Sequence, residues 1–357
     1  MPMVVKLADF YNSTRSARKI IVVDLGFLGD SVHLIPALVE LKRHYPHAEL
    51  HTLSAPLGRD VLQLAPCVDR AWAFPLGAQS PPWWRHWGIL RELRRAGFEV
   101  AFNFSGADRT IFLTALTGAR WRVAHAGGHN HFWKTWLIRN WVPRQRRDVP
   151  VFEQRRSVLA ACGFDLQPAR FELAVPASAR AWAAACVPGG AIHFSLSASS
   201  PLKEWPLRQW VELAGRLVAR HPHLTVLATG SPSAREQERL QQFAAQTRSE
   251  RVQVLPPGMT IAQLAALLER CQIHVGADSG VLHLALALGV ATVALFRDYA
   301  GTGEWLPRGP RHRHVTVPCA CADVKHPPCA PTAEARCLAQ ISPAQVGQLI
   351  EELITSP

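Results

Sequence analysis

Short runs of β-branched and apolar residues alternate with amphipathic stretches along almost the whole chain, and they do so in two blocks. KIIVVDL (Lys19 to Leu25) is followed by the turn GFLGD and then by SVHLIPALVELKRHY, which reads as strand, turn and helix. The order returns as AELHTLSA before a helix near Leu57 to Ala65, and as EVAFNFS before DRTIFLTALTG. Alternation with short connections requires a parallel sheet covered by helices, an α/β fold.

The alternation pauses in FELAVPASARAWAAACVPGG, where prolines, glycines and alanines around Pro176 to Gly190 read as a linker. It restarts with AIHFSLS. Leu207, Trp210, Val211, Ala214, Leu217 and Val218 then fall on one helical stripe. Strands LTVLATG, VQVL, QIHVGA and ATVALF follow with helices between them, one begun by Thr260 with Gln263 at capping-box spacing. The expected organisation is a frayed leader over 1–18, a first domain over 19–178, a second over 188–340, and a helix over 341–357 packing back on the first. Two such halves bind ligand in the cleft between them.

Formal net charge is +12, which implies an anionic partner without choosing among nucleic acid, phosphorylated glycolipid, membrane surface and nucleotide. The arginines concentrate at Arg139, Arg144, Arg146 and Arg147, either as a solvated loop or for anion recognition. MPMVVKLADFYNSTRSARK lacks the continuous apolar region of a secretion signal. The longest apolar run, VLHLALALGVATVALF, is interrupted by His283 and a glycine, so a cytoplasmic protein is expected.

The chemistry concentrates at strand-to-helix turns. In Gly276-Ala277-Asp278-Ser279-Gly280 a helix N-terminus offers free N–H groups and partial positive charge, Ser279 adds a hydroxyl, and Gly280 admits a phosphate closely. Asp278 and Ser279 alternatively cap the helix, and His283 either donates to phosphate or is a satisfied core histidine. In Gly26-Phe27-Leu28-Gly29-Asp30, a carboxylate suits proton abstraction from a hydroxyl rather than phosphate binding, with N-capping as the other reading. SLSASSPLKEWPLRQW sets Ser197 and Ser199 beside Lys203, hydroxyls and a cation suited to a leaving pyrophosphate. Glu236, after LTVLATG, is placed to accept from ribose hydroxyls. The chain contains neither an Asp-x-Asp pair nor GxxxxGK[ST], which disfavours a metal-bridged nucleotide sugar and an ATPase; no metal or cofactor is expected.

KIIVVDLGFLGDSVHLIPAL, SASSPLKEWPLRQW, PGMTIAQLAALLERCQIHVGADSGVLHLALALGVATVALF and RCLAQISPAQV resemble, in order, the bacterial lipopolysaccharide heptosyltransferases of glycosyltransferase family nine. The resemblance implies two facing Rossmann-like domains, the GT-B architecture, with acceptor held by the first and donor by the second. It implies inverting, metal-independent transfer of heptose from ADP-L-glycero-D-manno-heptose to the anionic lipopolysaccharide inner core. By motif position Asp30 matches the family's base and Lys203 the lysine near the donor phosphates. Asp278, Ser279, Gly280 and His283 match the donor loop, Met259 the residue whose backbone meets adenine, and Glu236 the ribose-binding acid.

GGHNHFWKTWLIRNWVP is similar to the same part of the third core heptosyltransferases, a subgroup that adds a branch heptose. Arg109, Arg120, Lys134 and Arg139 lie in the acceptor half and suit acidic sugars or phosphates, Arg109 and Arg120 being the candidates taken forward. Of the eight cysteines, Cys319, Cys321, Cys329 and Cys337 cluster. They resemble the metal finger of relatives that glycosylate autotransporter proteins, although CxC differs from a CxxC knuckle, and reduced thiols are the other reading. PPWWRHWGILREL, with Trp83, Trp84 and Trp87, either rests on the inner membrane or packs in a core; packing is expected. The alternatives to heptose transfer are a different nucleotide sugar, a protein acceptor, a nucleotide-binding protein without turnover, or a nucleic-acid-binding protein. Aromatics not interleaved with lysines speak against nucleic acid.

Overall fold

The computed structural model describes residues 5–75, 86–126, 132–143, 149–187, 190–321, 328–332 and 334–355. Two compact units, Met1–Ala174 and Val175–Pro357, make up the chain. In the first unit the order is α1 (Phe10–Thr14), β1 (Lys19–Val23), α2 (Leu28–His44), β2 (Glu49–Ser54), α3 (Pro56–Leu62) and β3 (Arg70–Ala73). It continues with α4 (Trp87–Arg95), β4 (Val100–Asn103), α5 (Asp108–Leu116), β5 (Trp121–His125), α6 (Phe132–Leu137), β6 (Asn140–Val142) and α7 (Val151–Ala161). The strands form one parallel sheet ordered β3-β2-β1-β4-β5-β6. Ile20, Ile21, Val22 and Val23 are all fully buried, because helices cover both faces of this central strand.

The second unit runs α8 (Ala177–Cys186), β7 (Ala191–Ser195), α9 (Leu207–Arg220), β8 (Val226–Thr229), α10 (Ala234–Thr247), β9 (Val252–Val254) and α11 (Ile261–Glu269). Then come β10 (Cys271–Ala277), α12 (Gly280–Ala287), β11 (Ala291–Asp298), β12 (His312–Pro318) and α13 (Pro343–Thr355). Its parallel sheet is ordered β12-β11-β10-β7-β8-β9. Ile192 and Phe194 enter the core with Trp205, Trp210 and Phe243, so the residues between and after them, His193 and Ser195, take the other face of β7. Thr260 and Gln263 form the expected capping box.

Three expectations about organisation change. Residues 1–18 are not simply a frayed leader: α1 buries Phe10 completely, its ring edge-on to Phe102 and Trp121 at 5.8 and 6.1 Å. The expected linker is largely helix α8, whose alanines favour helix and whose Arg180 pairs with Glu269 of α11. The terminal helix α13 belongs to the second unit, where Val346 and Ile350 are fully buried in the core containing Trp210. Trp87 is 55% exposed at the start of α4, while Trp83 and Trp84, and Arg144, Arg146 and Arg147, lie outside the described residues.

Candidate functional site

The second sheet grows in opposite directions from β7 and β10, which are paired neighbours. Loops leaving the carboxyl ends of two such strands diverge and leave a crevice for ligand. After β7, Pro201–Lys203 form a single 3-10 turn begun by Ser200, whose hydroxyl accepts from Leu202 N. After β10 come Asp278, Ser279 and then α12. The two loops meet where Lys203 Nζ donates to Asp278 Oδ2 at 2.6 Å, and His283 Nε2 lies 3.8 Å from Asp278 Oδ1. Burial works against the Asp278 charge, but the nearby His283 imidazole and the Lys203 ammonium outweigh it and hold the carboxyl down, at about 2.

Ser279 occupies the N-cap of α12 without capping it. Its hydroxyl is buried and has no hydrogen-bond partner among the described residues. An orphaned hydroxyl of this kind is costly, and an oxygen-rich ligand at the helix N-terminus would satisfy it. Lys203, the Ser279 hydroxyl and the first N–H groups of α12 together can hold a diphosphate and stabilise its charge as it departs.

The loop bearing Lys203 is fixed by residues that sequence reading did not single out. Glu204 accepts from Ala198 N at 3.1 Å and pairs with Arg235; Arg235 donates to Ala198 O at 2.8 Å, and Arg239 Nε to Leu196 O at 3.0 Å. Ser197 is buried within this loop and Ser199 is exposed. Beneath the crevice, His193 and His274 face each other on adjacent strands with Nδ1 atoms 2.8 Å apart, and His193 Nε2 is 2.9 Å from Thr229 Oγ1. Burial pushes His193 down to about 3, and burial with the neighbouring His193 and His283 pushes His274 well below the usual imidazole value. Both are therefore neutral. The His274 ring lies so close over Gly276 that a Cβ there would stand 2.7 Å from Nε2, which is why this strand end is a glycine.

Glu236 sits in the first turn of α10 and accepts from Ser231 N at 2.9 Å and Ser231 Oγ at 2.7 Å, closing the loop after β8. Met259 packs its side chain beside Val187, Ala191 and Leu267. Gly280 is the first residue of α12.

In the first unit, the sheet likewise grows both ways from β1 and β4. Asp30 is not the N-cap of α2: it is the third helical residue, and its Oδ2 accepts from Phe27 N at 3.0 Å. Gly26 allows this return, since a Cβ there would stand 2.4 Å from the Asp30 Cβ. Arg155 of α7, 9% exposed in its side chain, donates to Asp24 and to Asp30 Oδ1, the latter at 3.1 Å. Asp24 is 3% and Asp30 26% exposed, so the pair offers one structural carboxylate and one that reaches solvent. A positioned carboxylate that reaches solvent can accept a proton. Arg109 and Arg120 are exposed, on α5 and just after it.

Cys321 and Cys329 contact one another, as do Cys319 and Cys337; Cys329 N donates to Cys321 Sγ at 3.3 Å. All four are free thiols, and among the described residues no three ligating side chains are gathered as for a metal ion.

Residues 86–331 match the model of glycosyltransferase family 9 (heptosyltransferase). The chain belongs to that family. It is therefore a glycosyltransferase. Lipopolysaccharide heptosyltransferase 1 of Pseudomonas aeruginosa is 26% identical over 95% of this chain and 99% of its own. Lipopolysaccharide heptosyltransferase 3 of Escherichia coli is 22% identical over 76% and 81%. The structure of E. coli ADP-heptose lipopolysaccharide heptosyltransferase II covers 94% of this chain and 98% of its own with a TM-score of 0.75 at 20% identity, the same GT-B fold. Relatives of the first and third types match alike, so the likeness to the third type does not single out a subgroup.

Proposed function

We propose that this glycosyltransferase transfers heptose from ADP-L-glycero-D-manno-heptose to an anionic acceptor in the lipopolysaccharide inner core, with inversion and without a metal. The observation that carries the reading is the joined Lys203–Asp278–His283 group beside the unpartnered Ser279 hydroxyl at the start of α12, in a chain of the heptosyltransferase family. The names of its relatives supply the donor and acceptor classes.

In this reading Asp30 takes the proton from an acceptor hydroxyl, whose oxygen forms the new bond to the anomeric carbon as the bond from that carbon to the diphosphate oxygen breaks. Lys203 and the N-terminus of α12 stabilise the departing ADP, with Ser197, Ser199, Ser279 and Gly280 lining its phosphates and His283 orienting Asp278. Glu236 meets the ribose once it releases Ser231, and the Met259 backbone meets the adenine. The first unit takes the acceptor, Arg109 and Arg120 engaging its acidic groups. The setting is the cytoplasmic face of the inner membrane, in transient contact with it.

Thermal shift against a panel of nucleotide sugars tests the donor. ADP-heptose should raise the melting temperature more than UDP- or GDP-linked sugars, and Lys203→Met should remove most of the increase. A larger shift with another base or sugar would replace the donor assignment.

A further inference from the structure

Four of the eight large apolar side chains exposed among the described residues belong to two neighbouring helices: Phe112 and Leu116 on α5, Phe132 and Trp136 on α6. Their exposures are 51, 47, 81 and 65%. Phe112 and Leu116 are four residues apart, as are Phe132 and Trp136, so each pair lies on one helical face. The helices meet where Phe112 stacks on Trp133, with ring centroids 4.7 Å apart and planes 17° from parallel. The inner faces are already used, since Ile111 and Ile138 are fully buried with Trp133, Leu137 and Trp141 packed against them. Apart from the Phe112–Trp133 stack, the outer ridge is therefore surplus to folding, and an apolar patch of this kind marks an interaction site.

The charge around the ridge is of one sign. Arg109 stands one turn before Phe112, Arg120 follows α5, Arg139 follows α6, and all three are exposed. The acid at the start of α5, Asp108, is paired with Lys134 at 2.6 Å.

We infer that the α5–α6 ridge docks the protein on the surface of an anionic lipid bilayer. Aromatic rings settle at the headgroup level, and Arg139, beside the acceptor-facing Arg109 and Arg120, adds attraction to anionic headgroups. A contact between two copies fits the pattern less well, because three exposed arginines would be brought against three more. Among the described residues no helix is long and apolar enough to cross a membrane. The inference deepens the proposed function, whose acceptor is membrane-anchored, and rests on it for the biological setting.

Co-sedimentation with phosphatidylethanolamine–phosphatidylglycerol vesicles, against phosphatidylcholine alone, tests it without acceptor or donor. The full chain should bind the anionic vesicles, and the double variant Phe132→Ser, Trp136→Ser, which leaves the Phe112–Trp133 stack intact, should bind roughly tenfold more weakly, in line with loss of buried apolar area at an interface. The variant should keep its melting temperature and its transfer rate to a soluble, deacylated acceptor. Equal vesicle binding by variant and parent, or no binding by the parent, overturns the ridge as a membrane surface. A parent dimer that the variant dissolves would assign the ridge to a second copy instead. Loss of transfer by the parent on the soluble acceptor, with vesicle binding intact, would fault the proposed reaction and leave the ridge standing.

Discussion

Arg155 joins two aspartates, one of its terminal nitrogens donating to Asp24 and the other to Asp30 at 3.1 Å. Burial opposes the guanidinium charge, but Asp24 and Asp30 outweigh it and raise its pKa above the ordinary value. Arg155→Met would leave two carboxylates facing an apolar side chain. It should cost about 3–5 kcal/mol, read by urea unfolding, as expected for one removed partner of a buried pair. Because Arg155 positions Asp30, transfer by the folded variant should also fall, by up to roughly 10²-fold. An unchanged rate in the folded variant would mean that Arg155 does not position the base.

Asp278 gives the fold a specific acid sensitivity. Its folded carboxyl lies at about 2 against an ordinary 3.8. A depressed carboxyl contributes stability that is complete above its unfolded value and is lost as pH falls through the folded one, so this contribution of about 2 kcal/mol disappears between roughly pH 4.5 and 2. Unfolding free energy measured across that range should fall more steeply for the parent than for Asp278→Asn. Parallel curves would show that Lys203 and His283 do not stabilise the charged form.

The contact of Gly276 with His274 predicts a steric coupling. Gly276→Ala puts a methyl 2.7 Å from His274 Nε2 and should destabilise the second unit by about 1–3 kcal/mol, the usual range for overpacking. Because the obstacle is a side chain, His274→Ala should absorb the methyl. A double-mutant cycle by thermal melting should then show Gly276→Ala costing less in the His274→Ala background, whereas strict additivity would place the strain in the backbone.

Phe10 reports on the segment before the first strand. Phe10→Ala empties a fully buried site beside Phe102 and Trp121 and should cost about 3–5 kcal/mol in chemical unfolding. A change of a few tenths would restore the picture of a frayed leader.

The parts legible in the sequence were those in which local pattern and three-dimensional environment coincide. Strand, turn and helix follow one another within a few residues at Gly276 to His283 and at Lys19 to Asp30, so both βα turns could be read directly. What sequence left unread depends on distant partners. Arg155 meets Asp24 across 131 positions, and His193 meets His274 across 81. Each looked like an ordinary helix arginine or strand histidine until the sheets brought them together. In the leader and linker the overall local composition points to coil, whereas one buried phenylalanine, and a run of alanines beside prolines, decide for helix.

The proposed reaction requires both that this chain moves heptose and that Asp30 is the base. Mass spectrometry of a lipopolysaccharide inner-core acceptor incubated with ADP-L-glycero-D-manno-heptose and the protein, in excess chelator, tests it most directly. An acceptor heavier by one heptose is expected, with a rate lowered by roughly 10²–10⁴ in Asp30→Asn while ADP binding is retained, as for loss of a general base. No heptose adduct, or near-parental transfer by a folded Asp30→Asn, would contradict it.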